Sequence, residues 1–75
     1  MTKREKLLAK ARNHPKGLEF GEFETLLRQC GWVFEHQSGS HRIWRSAAKA
    51  VLSIQQSRDG KAKGYQVEQF LKHVE

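Results

Sequence analysis

The chain has 75 residues, a formal net charge of +6 at pH 7 and a single cysteine, Cys30. A chain of this length buries only about 60% of its unfolded surface, so we expect one domain, residues 1–75, with a small core. One cysteine excludes an internal disulfide framework, and no apolar run approaches the ~18 residues of a membrane-spanning helix. The composition predicts a cytoplasmic domain, and its charge favours a polyanionic partner, most often nucleic acid. A basic surface that only keeps the protein dispersed is the alternative interpretation.

The N-terminal segment predicts a helix followed by a turn. From Lys3 to Asn13 the apolar residues form only a narrow stripe, made of Leu7, Leu8 and Ala11. Pro15 and Gly17 then interrupt the helical pattern, so residues 14–17 are predicted to turn. Because the stripe is so thin, we expect this first helix to be an addition to the domain rather than its centre.

A second helix is predicted more strongly, because apolar residues recur at intervals of three and four. They are Phe20, Phe23, Leu26, Leu27 and Cys30. Gly31 follows where a left-handed C-terminal cap is expected, and Trp32 falls where such a cap packs a side chain back onto the last turn. On this apolar face Cys30 is interpreted as a small buried hydrophobe, since no neighbour in the sequence would lower its thiol pKa.

The centre of the chain predicts three antiparallel strands, because the apolar period changes to two after Gly31. The predicted strands are 32–37, 42–45 and 51–54, and the turns between them are 38–40 and 46–49. If residues 37–40 form the first loop, His36 and His41 become cross-strand neighbours. The three strands then make a meander with one covered face.

The last part of the chain predicts a basic loop and a final helix. Residues 57–64 are polar and rich in basic residues and glycine. The helix after them carries a regular apolar stripe of Val67, Phe70, Leu71 and Val74. Two helices on one face of a three-stranded sheet form a two-layer α+β domain, here with an extra N-terminal helix.

The stretch Gly39-Ser40-His41 is the candidate site, since it places a hinge residue, a hydroxyl and a histidine at the head of a short apolar strand. Histidine suits proton transfer near neutral pH, so His41 is the candidate general acid or base for phosphodiester cleavage. Positive charge for the phosphate would come from Arg42, Arg45, Lys61 and Lys63. The alternative is that His41 has only a structural role in the hairpin.

Other chemical roles are predicted less strongly by these residues. His36 and His41 could meet across the hairpin, but no third or fourth ligand stands at zinc-like spacing, so no metal is expected. The glycines of residues 57–64 could let backbone amides approach a phosphate, but they match no nucleotide-binding motif. Trp44 either stacks on a base or belongs to the core.

The order of these motifs resembles one known family. Gly39-Ser40-His41 stands between two short strands, after Leu26-Leu27 and Gly31-Trp32, as in the HicA toxins of bacterial toxin–antitoxin pairs. The loop Gly60-Lys61-Ala62-Lys63-Gly64 and its amphipathic helix fit the same pattern. The resemblance implies a double-stranded-RNA-binding-like fold, in which residues 1–19 are an N-terminal extension and residues 20–75 are the core.

The resemblance also implies a function. HicA toxins are metal-independent endoribonucleases that cleave mRNA without a cofactor, and their pattern makes His41 the catalytic residue here. It further implies a HicB antitoxin that binds and silences this surface. The residues expected to contact RNA are Ser40, Arg42, Arg45, Lys61 and Lys63. The rival interpretations are a non-catalytic RNA-binding module of the same fold and a subunit whose basic face binds an acidic protein.

Overall fold

The computed structural model describes residues 3–74, which form three α-helices and one three-stranded antiparallel sheet. The elements are α1 (Lys3–Asn13), α2 (Phe20–Gln29), β1 (Val33–Ser38), β2 (His41–Arg45), β3 (Val51–Gln55) and α3 (Gly64–Val74). A 3₁₀ turn, Pro15–Gly17, joins α1 to α2, and the strand order is β1-β2-β3. The predicted α+β architecture, a meander with an additional N-terminal helix, is confirmed.

The apolar stripes of α2 and α3 form the core, as their spacing predicts. The side chains of α2 and α3 with no exposed surface are Phe23, Leu26, Leu27, Val67 and Phe70. The backbone N–H of Trp32 donates to the Leu27 carbonyl at 2.9 Å, and Gly31 has φ 87°. The predicted C-terminal cap of α2 is therefore confirmed, and it directs the Trp32 ring to within 6.1 Å of the Phe70 ring centroid.

The two faces of the sheet differ because successive strand residues point to opposite sides. Trp44, Leu52 and Ile54 are buried on the face that packs against the helices, here called the covered face. His41 and Ser53 lie at alternate positions and are exposed on the other side, the open face. Since Trp44 has no exposed surface, it belongs to the core and offers no ring to a base.

The first hairpin is tighter than the sequence predicts. Ser38 pairs with His41, so the turn contains only Gly39 and Ser40. His36 pairs with Ile43, after a β-bulge between Phe34 and His36. The predicted loop of residues 37–40 is therefore wrong, because β1 continues to Ser38. His36 does not pair directly with His41 but lies diagonally from it on the open face.

The N-terminal helix α1 packs against α2 and α3. Ala11 has no exposed surface, and the Lys10 ammonium donates to both carboxylate oxygens of Glu22 at 2.8 and 3.1 Å. The bond from Lys10, together with one from the Glu19 backbone N–H, lowers the pKa of Glu22. α1 thus contributes to the core as well as to the surface. Within residues 3–74, no helix combines the length and hydrophobicity needed to cross a membrane.

Candidate active site

His41 is the first residue of β2 and its side chain is exposed on the open face. Ring atom Nδ1 lies 3.1 Å from the Ser53 hydroxyl oxygen on β3. Within residues 3–74 the other ring nitrogen, Nε2, forms no hydrogen bond. A hydroxyl can donate or accept, so Ser53 can hold the imidazole in either neutral tautomer or in its protonated form. The geometry leaves Nε2 as the nitrogen that a ligand can reach.

The turn before His41 is held by side-chain hydrogen bonds. The Gln55 amide donates to the Ser40 hydroxyl at 3.1 Å, and Gln55 is the residue of β3 that pairs with His41. Gly39 has φ 60°, which favours glycine, and its carbonyl accepts from the Gln37 amide at 3.0 Å. Because these groups are tied together, the hairpin presents His41 and Ser40 from a defined position.

This end of the sheet is also tied to the helix layer. The backbone N–H of Gln55 donates to the side-chain oxygen of Gln66, a buried residue in the first turn of α3. A buried amide oxygen needs such a partner, so the bond fixes the last residue of β3 against α3. The strand that carries Ser53 therefore ends on a rigid support.

Lys61 and Lys63 lie in the loop between β3 and α3 and are partly exposed. Ala62, which stands between them, forms a β-bridge with Gln56, the residue directly after β3. Since β3 ends beside His41, the loop starts at the same end of the sheet as the candidate site. Of the five predicted RNA contacts, the structure brings Ser40, Lys61 and Lys63 to this end.

Arg45 and Arg42 lie on opposite faces of the sheet. Arg45 lies on the open face at the far end of β2, where its guanidinium donates to Glu35 at 2.7 and 3.1 Å. This bond lowers the pKa of Glu35 and raises that of Arg45. Arg42 lies on the covered face, where it donates to both carboxylate oxygens of Glu24 at 2.9 and 3.0 Å. Contact of either arginine with RNA stays a prediction.

A family model described as the HicA toxin of bacterial toxin–antitoxin matches residues 20–75. The chain belongs to this family. No curated protein matches significantly, and no solved structure does. The match covers most of the chain and confirms the resemblance found in the motifs, so the protein is of the toxin type within a toxin–antitoxin pair. The division into an extension, residues 1–19, and a core, residues 20–75, stays a prediction.

In this HicA chain the other titratable groups are relevant to two kinds of site, a metal site and a reactive thiol. Within residues 3–74 no three side chains of histidine, cysteine, aspartate or glutamate come together in a way that could hold a metal ion. Cys30 is half-buried after the last turn of α2, and its burial raises the pKa of the thiol. A raised pKa disfavours the reactive thiolate, which agrees with the interpretation of Cys30 as a hydrophobe.

Sequence reasoning missed two residues of the candidate site, Ser53 and Gln55. Both are polar residues that alternate with the apolar Leu52 and Ile54, so the period of β3 already places them on the open face. The missing information was the register, which pairs His41 with Gln55 and so puts Ser53 one diagonal step away.

Proposed function

We propose that the protein is the toxin of a type II toxin–antitoxin pair and a metal-independent endoribonuclease that cleaves mRNA in the cytoplasm. His41 is its catalytic residue. The observation that carries the proposal is the exposed imidazole of His41, oriented through Nδ1 by Ser53 and free of protein contacts at Nε2 within residues 3–74. An oriented, accessible histidine is the group that proton transfer at neutral pH requires.

The chemistry can be written for an RNA phosphodiester. The 2′-hydroxyl oxygen attacks the neighbouring phosphorus and loses its proton to a base, while the bond from phosphorus to the 5′-oxygen breaks and that oxygen gains a proton from an acid. The products are a 2′,3′-cyclic phosphate and a 5′-hydroxyl. His41 takes one of these two proton transfers at Nε2. Because Nε2 gains or loses the transferred proton, Nδ1 keeps its own proton in both states of the ring, and the Ser53 hydroxyl accepts from Nδ1–H throughout.

Negative charge on the phosphate increases as the bonds change, and nearby cations stabilise it. Lys61 and Lys63 serve this role best, since their loop lies at the His41 end of the sheet. Ser40 adds a hydroxyl that can bind a phosphate oxygen from the turn. Arg45 is farther along the open face and contacts RNA beyond the cleaved bond, and Arg42 acts on the covered face through its pair with Glu24.

A HicB-like antitoxin is the proposed protein partner. On the open face, Val33 and Val51 are 66% and 49% exposed and flank Arg45 in one row across the three strands. The centre of a protein-binding surface is more apolar than the rest of the surface, and arginine is enriched there. A partner that covers this row and extends along β2 reaches His41, so one contact surface both binds and inhibits the toxin.

A second candidate is an RNA-binding module without catalysis. It is favoured by one observation: within residues 3–74, Ser53 is the only side chain hydrogen-bonded to His41, so no second general acid or base is hydrogen-bonded to the imidazole. Such a module would use the same fold and the same basic loop to bind RNA.

The two candidates are separated by incubating the purified protein with a defined RNA in excess EDTA and analysing the ends of the products. We expect cleavage that EDTA does not stop, with cyclic phosphate and 5′-hydroxyl ends. Binding without any strand scission would establish the second candidate. A variant with His41→Ala, purified in the same way, controls for contaminating ribonucleases.

A further inference from the structure

The N-terminal segment, residues 3–19, carries most of the net charge of the molecule. It contains six basic residues, Lys3, Arg4, Lys6, Lys10, Arg12 and Lys16, and two acidic ones, Glu5 and Glu19. Its net charge is therefore +4 out of +6, which leaves +2 for residues 20–75. The family match begins after this segment, at residue 20. We call residues 3–19 the basic extension.

Most of these charges are available to a ligand. Lys10 forms an ion pair with Glu22, but Arg4, Lys6, Arg12 and Lys16 are exposed and form no ion pair with other residues of the range 3–74. Like charges on one short helix repel each other, so a fold that keeps them unpaired carries an electrostatic cost that a bound polyanion removes.

The basic extension reaches the loop of the candidate site. The side chain of Lys16 crosses the start of α3 so closely that a Cβ on Gly64 would lie 2.7 Å from its Cγ. Glu19 forms a β-bridge with Lys61, and the Phe20 N–H donates to the Gly60 carbonyl at 3.2 Å. The extension therefore contacts the loop that carries Lys61 and Lys63, and this loop begins at the end of the sheet where His41 lies.

The chemistry of the surface favours RNA over protein as its ligand. The exposed large hydrophobic residues of the described chain are Val33, Phe34, Val51 and Tyr65, and none of them lies in the basic extension. Protein interfaces have apolar or aromatic centres and are depleted of lysine, whereas phosphates are bound by exposed lysine and arginine. The basic extension is rich in exposed lysine and arginine, which is the composition of a phosphate-binding surface.

We propose that the basic extension binds the phosphate backbone of RNA and so lengthens the contact beyond the site of His41. The proposal rests on the proposed function, because it assigns to the extension the same RNA that the site receives. The contact reads no sequence, since charged side chains on phosphates position a nucleic acid without specifying its bases. Longer RNAs therefore bind more tightly than RNAs that fill the His41 site alone.

The test measures RNA affinity against salt concentration in the His41→Ala background, in which the RNA is not cut. The double variant Arg12→Gln/Lys16→Gln removes two exposed charges from the extension, and Lys16 is the one that lies against Gly64 at the end of the loop. The matched control, Lys49→Gln/Lys72→Gln, removes two exposed charges elsewhere, one in the turn at the opposite end of the sheet and one in the last turn of α3. Circular dichroism confirms that all proteins fold alike.

For a single-stranded RNA of about 16 nucleotides, we expect the first variant to reduce the slope of log K against log salt by about 0.7 for each phosphate that its side chains no longer neutralise. For an RNA of about 4 nucleotides we expect no difference from the parent. The control variant keeps the parent's slope on both RNAs.

Equal slopes and affinities for the two double variants on the long RNA would overturn the proposal while leaving the proposed function intact. Loss of antitoxin binding with unchanged RNA binding would instead identify the extension as a protein-binding segment, and also overturns it. If the parent binds neither RNA at low salt, both the proposal and the proposed function are wrong.

Discussion

His41 and Arg42 are neighbours in the sequence, yet they belong to opposite sides of the molecule. His41 faces the solvent on the open face, where Ser53 is its hydrogen-bond partner. Arg42 faces α2, where Glu24 binds its guanidinium and the Phe34 ring centroid lies 5.1 Å from it. The difference follows from the strand alone, because each step along β2 reverses the direction of the side chain.

Polar residues on the two faces of the sheet therefore have different roles. Polar groups on the open face are exposed and can exchange protein contacts for a ligand. Glu24 on the covered face is 8% exposed, so its pair with Arg42 satisfies charges that water cannot reach fully. We expect substitutions on the covered face to lower the stability of the fold, and substitutions on the open face to alter the binding or cleavage of RNA.

The largest effect on stability is expected at Trp44. The change Trp44→Ala removes a fully buried ring from the covered face and should lower the free energy of unfolding by about 3–5 kcal/mol. Val51→Ala on the open face is the control, with an expected change within about 0.5 kcal/mol. Urea denaturation of both variants measures the difference. Similar losses in the two variants would show that the faces do not differ in packing.

A smaller difference in stability is expected between the two ion pairs that β2 forms through Arg42 and Arg45. The change Glu24→Gln weakens the bond to Arg42 on the covered face, and we expect a loss of about 1–2 kcal/mol of unfolding free energy. The matched change Glu35→Gln weakens the exposed bond to Arg45, and we expect no measurable loss of stability. Thermal denaturation compares the variants, and an equal loss for both contradicts the assignment of Arg42 to a structural role.

The change Ser53→Ala tests how the open face holds its histidine. It removes the partner of Nδ1, so we expect cleavage to slow by about 2- to 10-fold, the value of one hydrogen bond. Nitrogen NMR shifts of His41 should change at the same time, because the imidazole loses its fixed orientation. Ser53→Thr keeps the hydroxyl on a strand and should restore both readouts. Unchanged shifts in Ser53→Ala would show that the Ser53 hydroxyl does not orient His41.

The smallest expected effect is the pH-dependent stabilisation by the ion pair of Lys10 with Glu22, which joins α1 to α2. The Lys10 bond lowers the folded-state pKa of Glu22 below its ordinary value of 4.5, so the pair stabilises the protein at neutral pH and loses this effect as the pH falls through the folded-state pKa. We expect Lys10→Gln to cost at most about 1 kcal/mol at pH 7, because the pair is partly exposed. The difference from the parent should vanish in strong acid. A difference that is constant with pH would contradict an ionic origin.

Most of the fold was predictable from the sequence because its signals are local. The apolar stripes of α2 and α3, the cap at Gly31 and the alternation of the strands each depend on residues close in the chain. The site was predictable only as far as His41 and its turn. The contacts of Arg42 with Glu24 and of His41 with Ser53 join distant residues, and they depend on the register of the strands. The predicted four-residue loop gave the wrong register for the first hairpin, since it ended the first strand at His36 whereas β1 continues to Ser38.

We propose that His41 on the open face transfers a proton, whereas Arg42 on the covered face supports the fold. Single-turnover cleavage of a defined RNA, measured for His41→Ala and Arg42→Met beside the parent, tests it most directly. We expect His41→Ala to fold as the parent does and to cleave about 10²–10⁴-fold more slowly. Arg42→Met should lose stability and cleave at nearly the parent rate at a temperature where it is folded. A folded His41→Ala protein that cleaves at the parent rate would contradict the assignment.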